Sequence, residues 1–258
     1  MMMSRSASTA ARQRDGAGTS GESAEIAARI KALDWNRIEA DLWLRGYAET
    51  EPVLTSEECD ELIALYPDEG RFRHRVEMAR HRFGEGDYKY LAAPLPPVVQ
   101  ALRVHAYPPL ASVANRWNEA LGVADRYPPT LEAFLARCRA HGQTKPTPLL
   151  LHYEMGGYNC LHQDLYGEVA FPLQLVCFLS RPGVDYSGGE FLLVEQRPRA
   201  QSAAEVVTGV QGGLVFFTTR TRPVRGGRGH YRVNVRHGVG RVRTGTRYTL
   251  GVIFHDAK

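Results

Sequence analysis

From Thr147 onward the chain is a series of short apolar runs broken by Gly, Pro and polar turns: Leu149–Tyr153, Leu173–Leu179, Glu190–Val194, Leu214–Thr218, Tyr231–Val235 and Tyr248–Phe254. Runs this short suit strands, and no helical stretches alternate with them, so repeated parallel β-α units are excluded. An antiparallel sandwich or small barrel remains. Upstream the texture differs. Apolar residues recur at helical spacing at Ile26, Ile30, Leu33, Ile38 and Leu42, with Trp35 and Trp43 beside them, which predicts one or two amphipathic helices over Ala24–Arg45. Thr55 followed by Glu58 forms a capping box, and Cys59, Leu62, Ile63 and Tyr66 then give one apolar face before Pro67. Further helices are expected over Pro97–Leu121, with a break at Tyr107-Pro108-Pro109, and over Thr130–His141. His81–Tyr90, aromatic, basic and glycine-punctuated, reads as a hairpin, with a substrate lid as its alternative. Helices first and strands second make an α+β chain. Its expected organisation is a disordered tail over 1–23, a mainly helical support region over 24–146 and a β core over 147–258.

Hydrophobic residues make up 43% and charged residues 23%, ordinary for a globular protein, and no apolar run approaches bilayer length. Met1–Gly21 lacks the apolar block of a secretory signal. Cys59, Cys138, Cys160 and Cys177 are too scattered for a zinc ribbon or a disulfide framework. The expectation is a cytoplasmic protein with reduced thiols and no membrane partner. A net charge of only +4 hides one asymmetry, because Arg197 to Arg247 holds eleven arginines against a single acidic residue, Glu205. That stretch is either a phosphate-tracking surface for single-stranded or damaged nucleic acid or a solvated basic face.

The chemistry-bearing residues lie in the strand-rich half. His162-Gln163-Asp164 follows the glycine turn Gly156-Gly157, where one strand ends; His237 closes the alternating run Tyr231–His237, and Arg247 begins the next. His-X-Asp alone fits a polar surface loop, but four elements in this order are less easily accidental. Two imidazoles and one carboxylate can take one face of an octahedral metal and leave the other open, the arrangement of non-haem Fe(II) oxygenases, though manganese or cobalt suits the same donors. His152, His230 and His255 have no carboxylate at ligand spacing and read as structural or surface residues, and Tyr158 as a loop residue.

In these residues the chain resembles the Fe(II)- and 2-oxoglutarate-dependent dioxygenases. The resemblance implies a double-stranded β-helix, a jelly-roll or cupin-like core carried on supporting N-terminal helices. It implies His162, Asp164 and His237 as metal ligands and Arg247 as anchor for the distal carboxylate of 2-oxoglutarate, with Fe(II), 2-oxoglutarate and dioxygen as reactants. A planar, two-pronged cation suits that carboxylate better than lysine does. Thr249, on the same strand face as Arg247, can add a hydroxyl. Tyr153, in a Tyr-X-X-Gly setting similar to prolyl-hydroxylase-like members, either touches the cosubstrate or only packs.

Pro94-Leu95-Pro96, Asn115-Arg116-Trp117-Asn118, Tyr158 to Gly167, Glu195 to Arg199 and Arg236 to Val239 together look like a bacterial group described as acting on methylated, damaged DNA. The ten-residue gap from His237 to Arg247 is more similar to the prolyl-hydroxylase-like branch. The resemblance therefore implies oxidative demethylation of alkylated nucleic acid, with hydroxylation of a protein or small molecule as the alternative. A jelly-roll that binds metal or 2-oxoglutarate without turnover is a further alternative.

Overall fold

The computed structural model describes residue 21 and residues 23–258, so the expected tail lies almost entirely outside the described residues. Helix α1 covers 23–31. Helix α2 (Trp35–Arg45), strand β1 (Tyr47–Pro52), helix α3 (Ser56–Ala64), strand β2 (Phe72–Glu77) and the single turn α4 (Met78–His81) follow. Next come β3 (Gly84–Glu85), β4 (Asp87–Leu91), α5 (Pro97–Ala120) and α6 (Leu131–Ala140). The remainder is β5 (Leu149–Tyr153), β6 (Tyr158–His162), β7 (Leu173–Phe178), β8 (Tyr186–Gly188), β9 (Phe191–Gln196) and β10 (Ala203–Val207). It closes with β11 (Gly213–Thr218), β12 (Thr221–Gly226), β13 (Gly229–Val239), β14 (Val242–Gly245) and β15 (Arg247–Ile253).

The strands form antiparallel sheets. One has the order β1-β11-β7-β15-β5-β4-β2; a second runs β10-β9-β13-β6-β3, with β12 also paired to β13; β14 and β8 make a small third. Period-two alternation splits each central strand of the first sheet between two cores. Leu173, Leu175 and Cys177 of β7, with Leu214, Phe216, Leu250 and Val252, face Ile26, Ile30, Ile38, Leu42 and the apolar stripe of α5. Val176, Phe178, Val215 and Phe217 point the other way, against Phe191, Leu193 and Val235 of the second sheet. Because both faces are covered, these strands read as largely apolar runs.

Several expectations need correction. Helix α5 runs unbroken through Pro108 and Pro109. Pro108 is exposed and Pro109 half-buried, so the carbonyls they leave without N–H partners are turned toward water, while Ala106, Tyr107, Leu110 and Ala111 bury the opposite face. The segment 81–90 is not a hairpin. At Gly86 the chain passes from β3, paired with β6 in the second sheet, to β4, paired with β2 and β5 in the first. Gly86 has φ +129, and a Cβ there would lie 2.8 Å from the His152 carbonyl oxygen, so this crossing needs glycine. Tyr158 starts β6 and is not a loop residue. The stretch 24–146, expected to be mainly helical, holds helices and also supplies β1, β2 and β4 to the first sheet and β3 to the second. Thr55 and Glu58 do form their reciprocal capping box. Among the described residues no helix is long and apolar enough to cross a membrane.

Candidate metal centre

His162 closes β6 directly opposite His237 of β13 in the register of the second sheet. Side chains opposite one another across two strands meet, and here the ring centroids are 4.2 Å apart. Beyond His162 the chain leaves the sheet, and Gln163 pins it. The Gln163 side-chain amide donates to the Val235 carbonyl at 2.8 Å and the Arg220 carbonyl at 3.1 Å. Asp164 is thereby turned back toward both imidazoles. Its carboxylate oxygens lie 3.1 Å from His237 Nε2 and 3.6 Å from His162 Nε2. One donor atom from each of the three residues falls within 4.8 Å of the others, the one such group among the described residues.

Protonation suits these atoms to a cation. His162 Nδ1 faces the Cys160 carbonyl at 2.8 Å and donates to it, leaving the Nε2 lone pair toward Asp164. Burial and the neighbouring His237 both lower the His162 pKa, favouring the neutral ring. Burial alone would push the Asp164 carboxyl up, but His237, His162 and the Tyr166 hydroxyl outweigh it and hold the group well below the usual carboxylate range. The carboxylate is also oriented from outside the triad. Tyr166 donates its hydroxyl to Oδ1 at 2.8 Å, and Gln174 its amide to Oδ2 at 3.0 Å. Two imidazole nitrogens and one ionised oxygen fit a divalent first-row metal such as Fe(II).

The three residues line a cavity of about 390 Å³ whose other walls are largely apolar, including Leu149, Leu151, Phe191, Phe217 and Ile253. At its rim Phe83 and Leu161 remain 46% and 43% exposed. Arg247, Thr249 and Tyr153 do not line this cavity. Gly251, which does line it, shares a face of β15 with Thr249 and Arg247, two and four residues away, so those two face the same side of the sheet farther along the strand.

Arg247 is fully buried, and among the described residues its guanidinium forms no ion pair and meets no well-aligned hydrogen-bond acceptor, the Tyr186 hydroxyl being the polar group that its charge influences. Its Cζ lies 5.5, 5.6 and 5.8 Å from the ring centroids of Tyr153, Phe178 and Tyr186. A buried, unpaired guanidinium is costly unless an anion meets it. Tyr153 stands opposite Arg247 in register, and its hydroxyl accepts from the Asn159 amide at 3.4 Å. Burial pushes its phenol up to about 12, against the opposing Arg247 charge.

The other histidines lie apart from this group. His152, on the opposite face of β5 from Tyr153, does meet a carboxylate, Asp87, at 2.9 Å, and stacks on Tyr248. His255 is buried and accepts from the Phe171 N–H, while His230 lies beside Trp43. Sequence reasoning missed Gln174, Tyr166 and Tyr186. Gln174 had a signal, as the polar member of an otherwise apolar run; Tyr166 had only its proximity to the motif, and Tyr186 had none.

Comparison with known proteins places this geometry in context. Residues 86–257 match the model of the Oxygenase-NA family, described as an oxygenase catalysing oxidative methylation of damaged DNA. The uncharacterized protein Rv2227 of Mycobacterium tuberculosis is 51% identical over 164 residues, covering 64% of this chain and 70% of that protein. Among solved structures, a Pseudomonas putida prolyl-4-hydroxylase aligns with a TM-score of 0.53 at 15% identity, over 87% of this chain and 99% of that one. A Trichoplax adhaerens prolyl hydroxylase, solved with a hypoxia inducible factor peptide fragment, aligns at 0.52 and 15%, over 89% and 91%. At such identities the likeness is one of fold.

Proposed function

This chain belongs to the Oxygenase-NA family, and from that premise we propose that it is an Fe(II)- and 2-oxoglutarate-dependent dioxygenase that oxidises the methyl group of an alkylated nucleobase. The observation that carries the reading is the pairing of a three-donor metal face with a buried guanidinium that lacks a counterion. His162, Asp164 and His237 would hold the metal, and Arg247 the far carboxylate of the cosubstrate, with Thr249 and Tyr153 beside it. The two facing antiparallel sheets correspond, in this reading, to a double-stranded β-helix over 147–258 buttressed by 24–146.

Bound iron and 2-oxoglutarate supply oxidising power drawn from dioxygen, one oxygen atom leaving in succinate and the other in the hydroxylated methyl group, with loss of carbon dioxide. The chain's own residues do the rest. Tyr166 and Gln174 fix both carboxylate oxygens of Asp164, so its orientation is set before anything binds. Arg247 neutralises and orients a dianion in a site closed to solvent. The apolar walls keep bulk water from the oxidation and admit one unstacked base. A hydroxylated N-methyl group then breaks its C–N bond, releasing formaldehyde and restoring the N–H.

A second reading, hydroxylation of a peptide or small molecule, is favoured by the ten-residue spacing from His237 to Arg247 and by the fold likeness to prolyl hydroxylases. Succinate and formaldehyde release by the iron-loaded chain decides between them, with methylated single-stranded DNA, methylated duplex and proline-containing peptides offered in parallel. The expected outcome is both products with methylated DNA and none above background for Asp164→Ala. Succinate stimulated by peptide alone would transfer the assignment to the second reading. Equal succinate from Asp164→Ala would remove the assigned metal site.

A further inference from the structure

We propose that the outward face of the β12–β13 ribbon, the face of β13 turned away from the metal cavity, holds the sugar-phosphate backbone of a single nucleic-acid strand, an inference that rests on the nucleic-acid reading above. The ribbon departs from the body of its sheet. Strand β13 pairs with β9 over Asn234–Val239, whereas from Gly229 to Val233 its partner is β12. Along β13, Val233, Val235 and His237 are buried and the intervening Arg232, Asn234 and Arg236 are exposed. Arg225 of β12, opposite His230 in register, and Arg228 at the tip are exposed as well.

Among the described residues none of these four arginines lies within ion-pair distance of a carboxylate, and the nearby Glu195 is already engaged by Arg197 and Arg222. Several uncompensated guanidinium groups on one narrow element repel one another, and a polyanion relieves that repulsion. Arg232 and Arg236 share a strand face roughly 13 Å apart at the usual rise per residue, so their ligand must carry repeated, spaced negative charge. A phosphodiester chain has that character, and the arginine fork matches its oxygens.

The ribbon is coupled to the chemistry through covalent and hydrogen-bonded links. Arg236 immediately precedes His237. The Gln163 side chain, between His162 and Asp164, holds the carbonyls of Val235 and Arg220 at the roots of the two ribbon strands. Arg236 and His237 point to opposite faces of β13, so a strand held on the ribbon passes round the sheet to present a base to the cavity. The metal ligands line a cavity of about 390 Å³, and a base must leave its stack to reach them, which favours a strand whose bases are already unpaired. The exposed Phe83 and Leu161 at the rim offer that base an apolar approach.

The test is a salt titration of full-chain binding to an unmethylated, fluorescent single-stranded oligodeoxynucleotide, read by anisotropy. Wild type is compared with the variant carrying Arg225→Gln, Arg228→Gln, Arg232→Gln and Arg236→Gln, and with the matching Arg→Lys variant. Each phosphate contact contributes about 0.7 to the slope of log K against log salt for a single strand, so the glutamine variant should be shallower by about 3. The lysine variant should keep most of that slope. Should the fourfold glutamine variant not fold, Arg228→Gln alone at the tip should lose about 0.7. Identical slopes for wild type and glutamine variant would overturn the proposal, as would a wild-type slope near zero. Formaldehyde release from a methylated mononucleotide, too short to reach the ribbon, tests the functional reading separately.

Discussion

Arg247 is the residue whose environment makes the sharpest demand, since a fully buried guanidinium flanked by aromatic rings, with no carboxylate partner among the described residues, destabilises the ligand-free fold. Replacing it with an apolar side chain of similar length should remove that penalty. Arg247→Met is therefore expected to leave the ligand-free protein as stable or more stable, and to raise the 2-oxoglutarate requirement sharply. Thermal unfolding and succinate release measure the two effects, and a lower melting temperature with an unchanged cosubstrate requirement would contradict the assignment. His255 makes a pH-dependent demand. Burial lowers its pKa from 6.5 to about 4, so between those values the unfolded chain binds the proton more tightly. Its contribution to stability is complete above about pH 6.5 and is lost as pH falls toward 4, up to about 3 kcal/mol in all. His255→Gln should flatten stability against pH across that window in denaturant titrations. The three residues of the candidate metal centre stood out in the sequence because motif spacing and strand alternation bring them together. Gln174 stood out less, because a lone polar residue in an apolar strand does not reveal which carboxylate it will meet.

At the scale of elements, β15 divides its labour by alternation. Leu250 and Val252 enter the helix-side core, while Arg247, Thr249 and Gly251 face the other sheet. Gly251 keeps the cavity open, as a Cβ there would approach the Leu149 side chain to 2.9 Å. Gly251→Leu is expected to fill the cavity while leaving the metal ligands in place. Cobalt(II) should then bind with its usual visible spectrum while substrate-stimulated succinate release falls at least tenfold; retained stimulation would show that the substrate enters elsewhere. Element types were mostly legible because period and capping signals are local. The continuity of α5 was not, since whether a proline interrupts a helix depends on which side of it faces water. Nor was the crossing at Gly86, because two short strands with a glycine between them look alike whether they pair with each other or join different sheets.

Over the whole molecule, the family match begins at residue 86, yet β1 and β2 at the edges of the first sheet, and the helices α1, α2 and α3 that share the covering of its outer face with α5, come from earlier in the chain. This dependence was hidden in the sequence, where strand-like Tyr47–Pro52 carries Glu49 and Glu51 and shows no apolar run. A chain starting at residue 86 would leave the helix-side core of β7, β11 and β15 partly uncovered. It is expected to aggregate or to unfold without a cooperative transition, as read by calorimetry; a sharp transition would show that the segment is self-sufficient. Arg247 reaches this scale too. If a dianion is the absent half of its ion pair, ligand at a hundred times its Kd adds about 2.7 kcal/mol to the fold, and the melting shift on adding 2-oxoglutarate should vanish in Arg247→Met. The protein's lifespan in a cell, and not just its rate, would then follow the supply of a central carbon metabolite, so that starvation thins the enzyme as well as idling it.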